Sequence, residues 1–207
     1  MIFAHKKDML WQLTLVFLVV FCFFAGLGRY GLLDNNEGLY AQIAKEMLLG
    51  GNYVIPHLNG CIYIEKPPLL YWLMTLSFKL FGVNEWAARL VPATAGFSIC
   101  LMLWRFSEKV VGKNHGIKVF SILGTSIGFL IFSRMVFFDI LMTCFLTAAC
   151  LCLYLWIHEG RKNLYLMGVY SSISLAVLTK GFLPLILIGL IWSVYFTLYL
   201  RDSIGFF

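Results

Sequence analysis

Charge is scarce in this chain. Asp, Glu, Lys and Arg make up 13% of its 207 residues, against about a quarter in a soluble domain. With 61% hydrophobic residues and a mean hydropathy of +0.86, that scarcity excludes a soluble globular architecture. Acid is scarcer than base, ten residues against sixteen, for a net charge of +6. The bases stand singly or in pairs between apolar runs, and no nucleic-acid motif accompanies them, so nucleic-acid binding is excluded. A disulfide framework is also lacking. Cys22, Cys100, Cys144, Cys150 and Cys152 fall in apolar runs as small packing residues, which leaves Cys61 alone in polar sequence. No convincing small-x-small cleavage site follows the first apolar run, and that run exceeds a signal-peptide core; it reads as an uncleaved signal-anchor helix. Internal repeats and low-complexity segments are absent.

What remains is a series of apolar runs, each near the ~20 residues that cross a ~30 Å hydrocarbon core as a helix. They cover 9–27, 85–104, 119–135, 140–157, 164–179 and 184–200. The expected fold class is all-α, a polytopic membrane protein with about six transmembrane helices forming a single transmembrane domain over 1–207. Lys6, Lys7, Arg105, Lys109, Lys113, Lys118, Arg161, Lys162 and Arg201, nine of the sixteen bases, then share one side. By the positive-inside rule that side is cytoplasmic, with the N-terminus there and the loop 28–84 outside.

That outer loop is unlike the rest of the chain. Its first part, 28–71, holds four of the ten acidic residues and cannot span a membrane. From Asn35, Leu39, Tyr40, Ile43, Ala44, Met47 and Leu48 recur at helical spacing opposite Gln42, Lys45 and Glu46. Gly50-Gly51 ends the pattern, which predicts an interfacial amphipathic helix. Pro56 and Asn59-Gly60 mark turns, and Pro67-Pro68 opens a second short helix over 69–81. The topology also gathers Asp34, Glu37, Glu65, Lys66, Arg134, Asp139 and Lys180 at the outer boundary from four separate places in sequence. Ionisable groups converging on one membrane face point to a site.

Each of these residues has a plainer reading beside the functional one. Asp34 and Glu37 have the spacing of a capping box ahead of a helix, although a carboxylate fixed there is also a well-placed base or metal ligand. Glu65-Lys66 stands before two prolines that stiffen the backbone, so Lys66 is either a snorkelling lysine at a helix start or a rigidly presented phosphate contact. Asp139 is either a cap paired with Arg134 or a site carboxylate. Lys180, before Gly181, is either an interface anchor or a second phosphate contact. His57 is a loop residue or, with Glu65, a metal ligand.

Together the motifs resemble the polyprenyl-phosphate-sugar-dependent membrane glycosyltransferases, the group of the aminoarabinose lipid A transferases and protein mannosyltransferases. The resemblance rests on Asp34-x-x-Glu37-x-x-Tyr40-Ala41 with Glu46-Met47, on Pro56-x-x-Asn59-Gly60, and on Tyr63-x-Glu65-Lys66-Pro67-Pro68-Leu69 with Tyr71-Trp72. Phe81-Gly82-x-x-Glu85-x-x-x-Arg89, Asp139 and Leu178-Thr179-Lys180-Gly181 complete it. It implies an inverting transferase that takes a glycosyl group from a polyprenyl-phosphate donor to a lipid or protein acceptor, such as lipid A, at the outer face of a cell inner membrane.

The same resemblance implies Asp34, Glu37 and Asp139 as catalytic residues, with Lys66, Lys180 and Tyr63 binding substrate. Glu65 is implied as the ligand of a divalent metal ion. Leu39 stands where the aminoarabinose transferases carry arginine, which leaves the donor sugar open. Members of this family run to more than twice this length. The expectation is therefore a chain that holds the carrier-phosphate half of a site and lacks independent turnover, either a truncated product or one whose remainder a second chain supplies. A non-catalytic carrier-binding or assembly subunit is the alternative reading. A transporter is disfavoured because mid-span charges are nearly absent.

Overall fold

The computed structural model describes residues 2–33 and 35–204, and the side chains of 10–33 and 36–199. Asp34 lies outside the described residues. The chain is helical almost throughout, as its composition predicts. The helices are α1 (Ile2–Phe24), α2 (Asn35–Gly50), α3 (Leu69–Phe81), α4 (Glu85–Val110), α5 (His115–Gly124), α6 (Ile127–Ser133), α7 (Phe138–His158), α8 (Asn163–Lys180) and α9 (Leu183–Ile204). Between α2 and α3 a two-residue ladder pairs β1 (His57–Leu58) with β2 (Cys61–Ile62). Asn59 and Gly60 both have positive φ, 53° and 80°, the geometry that an Asn-Gly two-residue hairpin turn requires.

The elements around the first loop match the sequence reading closely. α2 begins at Asn35 and closes at Gly50, and α3 occupies the stretch after Pro67-Pro68 and stops at Gly82. α4 starts where Asn84 caps it, its Oδ1 accepting from the Ala87 amide at 2.8 Å. It then runs to Val110, six residues beyond the expected end of the second span.

The count of six uninterrupted spans is not carried over. Among the described residues two helices, α4 and α7, are long and apolar enough to cross a membrane alone, and α5 with α6 makes a third only as a pair bent by 69°. The expected continuous span over 119–135 is therefore broken at Thr125-Ser126. The Ser121 hydroxyl donates to the Ile117 carbonyl at 2.8 Å, and Thr125 Oγ1 donates to the Ser121 carbonyl at 2.7 Å. Such back-bonding favours bending. Gly124 seats the break against α1, where an added Cβ would lie 2.5 Å from Val19 Cγ1.

Three apolar clusters hold the helices. The first joins α2, α3, the beginning of α4 and the beginning of α7 through Ile43, Met47, Leu70, Tyr71, Met74, Ala88, Val91 and Leu141. The second joins α1, α4 and α5 through Val19, Phe23, Cys100, Ile117 and Phe120. The third joins α7, α8 and α9 through Met142, Leu146, Ala149, Ala176 and Ile188. α4 is the central element because its inward residues are small. Ala87, Ala88, Ala93, Ala95 and Gly96 are buried, which allows the close helix approach on which membrane packing depends. At Gly96 an added Cβ would come within 2.3 Å of Ser133 Oγ and 3.0 Å of Phe23.

Candidate functional site

The end of the bundle that carries the first loop also carries those of the ionisable residues singled out from sequence that lie among the described residues. At its centre Glu37 and Arg89 form a fully buried ion pair, 2.8 Å from Oε2 to Nη2. Arg89 Nε donates to Glu37 Oε1 at 3.2 Å, Nη1 donates to the Leu27 and Tyr30 carbonyls, and Nη2 donates to the Gly31 carbonyl and Glu37 Oε2. All five guanidinium protons are used. Glu37 is equally saturated, since Oε1 also accepts from the Val136 amide at 2.8 Å and Oε2 from the Leu33 amide at 3.2 Å. The Tyr30 ring lies 4.3 Å from the guanidinium carbon.

This pair ties the α1–α2 connection, α4 and the α6–α7 turn to one another. Leu33, which precedes Asp34, and Val136, three residues before Asp139, are both held by the same carboxylate. Arg89 enters the sequence reading as part of a motif, not as Glu37's partner. The signal that could have found the pair is chemical. An arginine inside Ala-Ala-Arg-Leu-Val must be partnered if buried, and a glutamate of the outer loop is the nearest unassigned acid.

A second pair joins Asp139, in the first turn of α7, to Lys180 at the end of α8. Asp139 is therefore engaged with a lysine 41 residues away and not with Arg134. Arg134 instead donates to the Cys22 and Ala25 carbonyls, at 2.6 Å each, and so satisfies the C-terminal turn of α1. Gly181, with φ of +70°, closes α8 just beyond Lys180.

The third group lies on the segment between the hairpin and α3. The Tyr63 hydroxyl donates to Glu65 Oε2 at 3.0 Å. Burial, followed by that bond, pushes the phenol up to about 12, so Tyr63 stays a donor at neutral pH. Lys66, half-buried beside Pro67, has no hydrogen-bond or ion-pair partner among the described residues. An aromatic cluster links this group to the Asp139–Lys180 pair. Tyr40, Tyr71 and Phe138 meet edge to face or tilted, with centroids 4.8–6.2 Å apart. Phe138 adjoins Asp139, and Tyr63 and Glu65 act electrostatically on the Tyr71 hydroxyl. That hydroxyl is buried without a hydrogen-bond partner among the described residues.

Among the described residues Glu65 is not joined by two further metal ligands. Among the described residues no three His, Cys, Asp or Glu side chains are grouped so as to hold a metal ion. His57 belongs elsewhere: its Nδ1 lies 2.8 Å from the Ile55 carbonyl oxygen, and it acts on Glu46.

Residues 65–205 match the model of the dolichyl-phosphate-mannose-protein mannosyltransferase family. An uncharacterized protein of Aquifex aeolicus (strain VF5) is 35% identical over 167 residues, covering 79% of this chain and 33% of that protein. The undecaprenyl phosphate-alpha-4-amino-4-deoxy-L-arabinose arabinosyl transferase 1 of Proteus mirabilis (strain HI4320) is 29% identical over 189 residues, covering 89% and 34%. The crystal structure of ArnT from Cupriavidus metallidurans in the apo state superposes with a TM-score of 0.88 at 24% identity, over 95% of this chain and 37% of that one. The same protein bound to undecaprenyl phosphate gives 0.82. The chain thus spans about a third of the length of these relatives. It has the membrane-embedded fold of ArnT and belongs to the dolichyl-phosphate-mannose-protein mannosyltransferase family.

Proposed function

We propose that this chain carries the carrier-phosphate part of a membrane glycosyltransferase site, which moves a glycosyl group from a polyprenyl-phosphate donor to a lipid acceptor. The observation that supports it most directly is the convergence of Lys66 and Lys180 on one end of the bundle, through Tyr63, Glu65, Tyr71, Phe138 and Asp139. A phosphate leaving the anomeric carbon gains charge. An ammonium without a protein partner, as Lys66 is, stabilises that charge where it develops. Lys180 is a second cation, presented to the same end by Asp139. The arabinosyl transferase of Proteus mirabilis and the ArnT complex with undecaprenyl phosphate favour this donor class.

In this reading the bond from the anomeric carbon to the carrier oxygen breaks as an acceptor oxygen attacks from the opposite face. The acceptor's proton passes to a carboxylate. Asp34 and Asp139 are the candidates, because Glu37 has its four acceptor positions filled and acts by positioning the chain around them. Asp139, at 56% side-chain exposure, keeps an oxygen accessible. The membrane is the cell inner membrane, with the N-terminus cytoplasmic and the site on the outer side.

The test is transfer from a radiolabelled polyprenyl-phosphate sugar in membranes containing the full natural protein, with Lys66→Ala and Asp139→Asn beside the parent. Loss of transfer with retained carrier binding is expected for Asp139→Asn. Loss of carrier binding is expected for Lys66→Ala. Parent-level transfer in both would remove this end of the bundle from the reaction.

A further inference from the structure

At the opposite end of α4 the structure holds a groove that the proposed reaction does not use. Near the site end, α4 and α7 pack directly through Ala88, Val91, Phe138 and Leu141. Farther along, where Phe106 still meets the Tyr154 ring edge to face at 5.1 Å, the two helices leave a groove of about 440 Å³ between Leu101 and Phe106 on one side and Leu151 and Leu155 on the other. Arg105 and Lys109 also line it. They are one helical turn apart on α4 and therefore share a face. Arg105 is sixteen residues beyond Arg89, about 24 Å along the helix at 1.5 Å per residue, and about one and a half turns before α4 ends at Val110. Its guanidinium is at the depth of lipid headgroups when the apolar part of α4 spans the membrane.

The two cations differ in their engagement. Lys109 is held by Glu159 and by the Tyr165 hydroxyl, which bridges α4 to the end of α7 at the edge of the groove. Arg105 is exposed and has no partner among the described residues. Lys113, Lys118, Arg161 and Lys162 lie on the same end, against Glu108 and Glu159. Glu108 accepts from Trp104, and Glu159 is taken by Lys109. The end is net positive, and the unengaged charge nearest the groove is a guanidinium, whose planar donors match phosphate oxygens.

We infer that the α4–α7 groove is a binding site for an anionic glycerophospholipid of the leaflet opposite the candidate active site. One acyl chain lies between Leu101, Phe106, Leu151 and Leu155, and the headgroup phosphate is on Arg105. Charge complementarity selects this occupant. An apolar groove with an unengaged cation at headgroup depth fits an amphiphile with one negative charge, as basic interhelical pockets at membrane faces do. A zwitterionic phospholipid carries the same phosphate but adds a cation beside a positive rim. The inference does not rest on the transfer reaction, because no residue of the groove belongs to the proposed site.

The experiment is native mass spectrometry of the full natural protein, delipidated in mild detergent and titrated with phosphatidylglycerol or with phosphatidylcholine of matched chains. One retained phosphatidylglycerol is expected, in preference to phosphatidylcholine. Arg105→Ala should weaken it about fivefold, the effect of one basic residue near an anionic headgroup. Leu151→Trp, which fills the groove and leaves Arg105 in place, should abolish it. Lys118→Ala, on an exposed face of α5, should leave it unchanged. Equal retention of the two lipids overturns the proposal. So does insensitivity to both Arg105→Ala and Leu151→Trp, displacement by millimolar inorganic phosphate alone, or a dimer in place of a lipid adduct.

Discussion

Glu37 Oε2 and Arg89 Nη2 lie 2.8 Å apart with both side chains sealed from solvent, and neither group has hydrogen-bonding capacity left over. Two charges taken out of water are costly unless every donor and acceptor is met. Here the remaining partners are backbone groups from three places: the carbonyls of Leu27, Tyr30 and Gly31, the Leu33 amide, and the Val136 amide. The pair therefore acts as a joint between chain segments that sequence separates by up to 99 residues.

Arg89→Met should cost about 3–5 kcal/mol, because it strands a buried carboxylate. Arg89→Lys should not rescue it, since a single ammonium cannot reach three carbonyls and two carboxylate oxygens in a planar fork. Glu37→Gln keeps the shape but must turn a donor toward the guanidinium, and it too should be strongly destabilising. Thermal unfolding in detergent measures these effects. Glu37→Leu combined with Arg89→Met should lose less than the two single variants added together, and strict additivity would contradict the joint.

Lys66 and Lys180 should respond differently to removal. Lys66 has no protein partner among the described residues, so Lys66→Ala leaves nothing stranded and should barely change stability. It should weaken polyprenyl-phosphate binding by about 1.5–3 kcal/mol, the range for a hydrogen bond to a charged group. Lys180→Ala frees a partly exposed Asp139. Its stability cost should stay within about 1 kcal/mol, because the pair is solvent-accessible, but carrier binding should fall here as well. Titration with a fluorescent polyprenyl phosphate separates the two effects. Lys66→Ala binding at parent strength would show that the carrier lies elsewhere.

Local chemistry was legible in sequence and long-range pairing was not. Pro67-Pro68 and Gly82 bracket α3, Asn84 caps α4, and Asn59-Gly60 makes a hairpin turn; each is a short-range device that a few residues disclose. The joining of Glu37 to Arg89 spans 52 residues and that of Asp139 to Lys180 spans 41. No periodicity announces either contact, and the plainer partner for Asp139, Arg134, is engaged on α1 instead. The break at Thr125-Ser126 was hidden for another reason. Residues 119–135 are apolar enough for one span, and the bend depends on hydroxyl back-bonding and on the seat of Gly124 against Val19, which composition averages away.

Gly96→Ala offers a test of how tightly α4 is packed. The new methyl would meet Ser133 Oγ at 2.3 Å, Ser133 Cβ at 2.7 Å and Phe23 at 3.0 Å. Ser133 is buried and its hydroxyl is bonded to the Phe129 carbonyl at 2.7 Å, so it cannot simply rotate away. Overpacking of this kind costs about 1–3 kcal/mol, more than the helix propensity gained on replacing glycine by alanine. Gly128→Ala on α6, where an added Cβ meets nothing within 4 Å, is the matched control and should be neutral or slightly stabilising. Equal melting temperatures for the two variants would show that α4 and α6 are not in contact at Gly96.

The hairpin should be sensitive to acid through Glu46. Its carboxylate accepts from Gln42 Nε2 and the Asn59 amide at 2.8 Å, and from the Gly60 amide at 3.3 Å. These bonds, the Gln42 contact foremost, hold its pKa below the ordinary glutamate value. A carboxyl whose folded pKa is depressed adds stability that is fully present above its unfolded pKa. That stability is lost as the pH falls through the folded value. Fixation of the turn by α2 should therefore persist above pH ~4.5 and weaken below it. The Asn59 and Gly60 amide resonances should titrate together, with a midpoint below that of an unperturbed glutamate. Glu46→Gln should remove that transition and leave both amides in their low-pH state at neutral pH. A midpoint at or above that of an unperturbed glutamate would mean that Glu46 does not anchor the turn, and the hairpin would then depend on its Asn-Gly geometry alone.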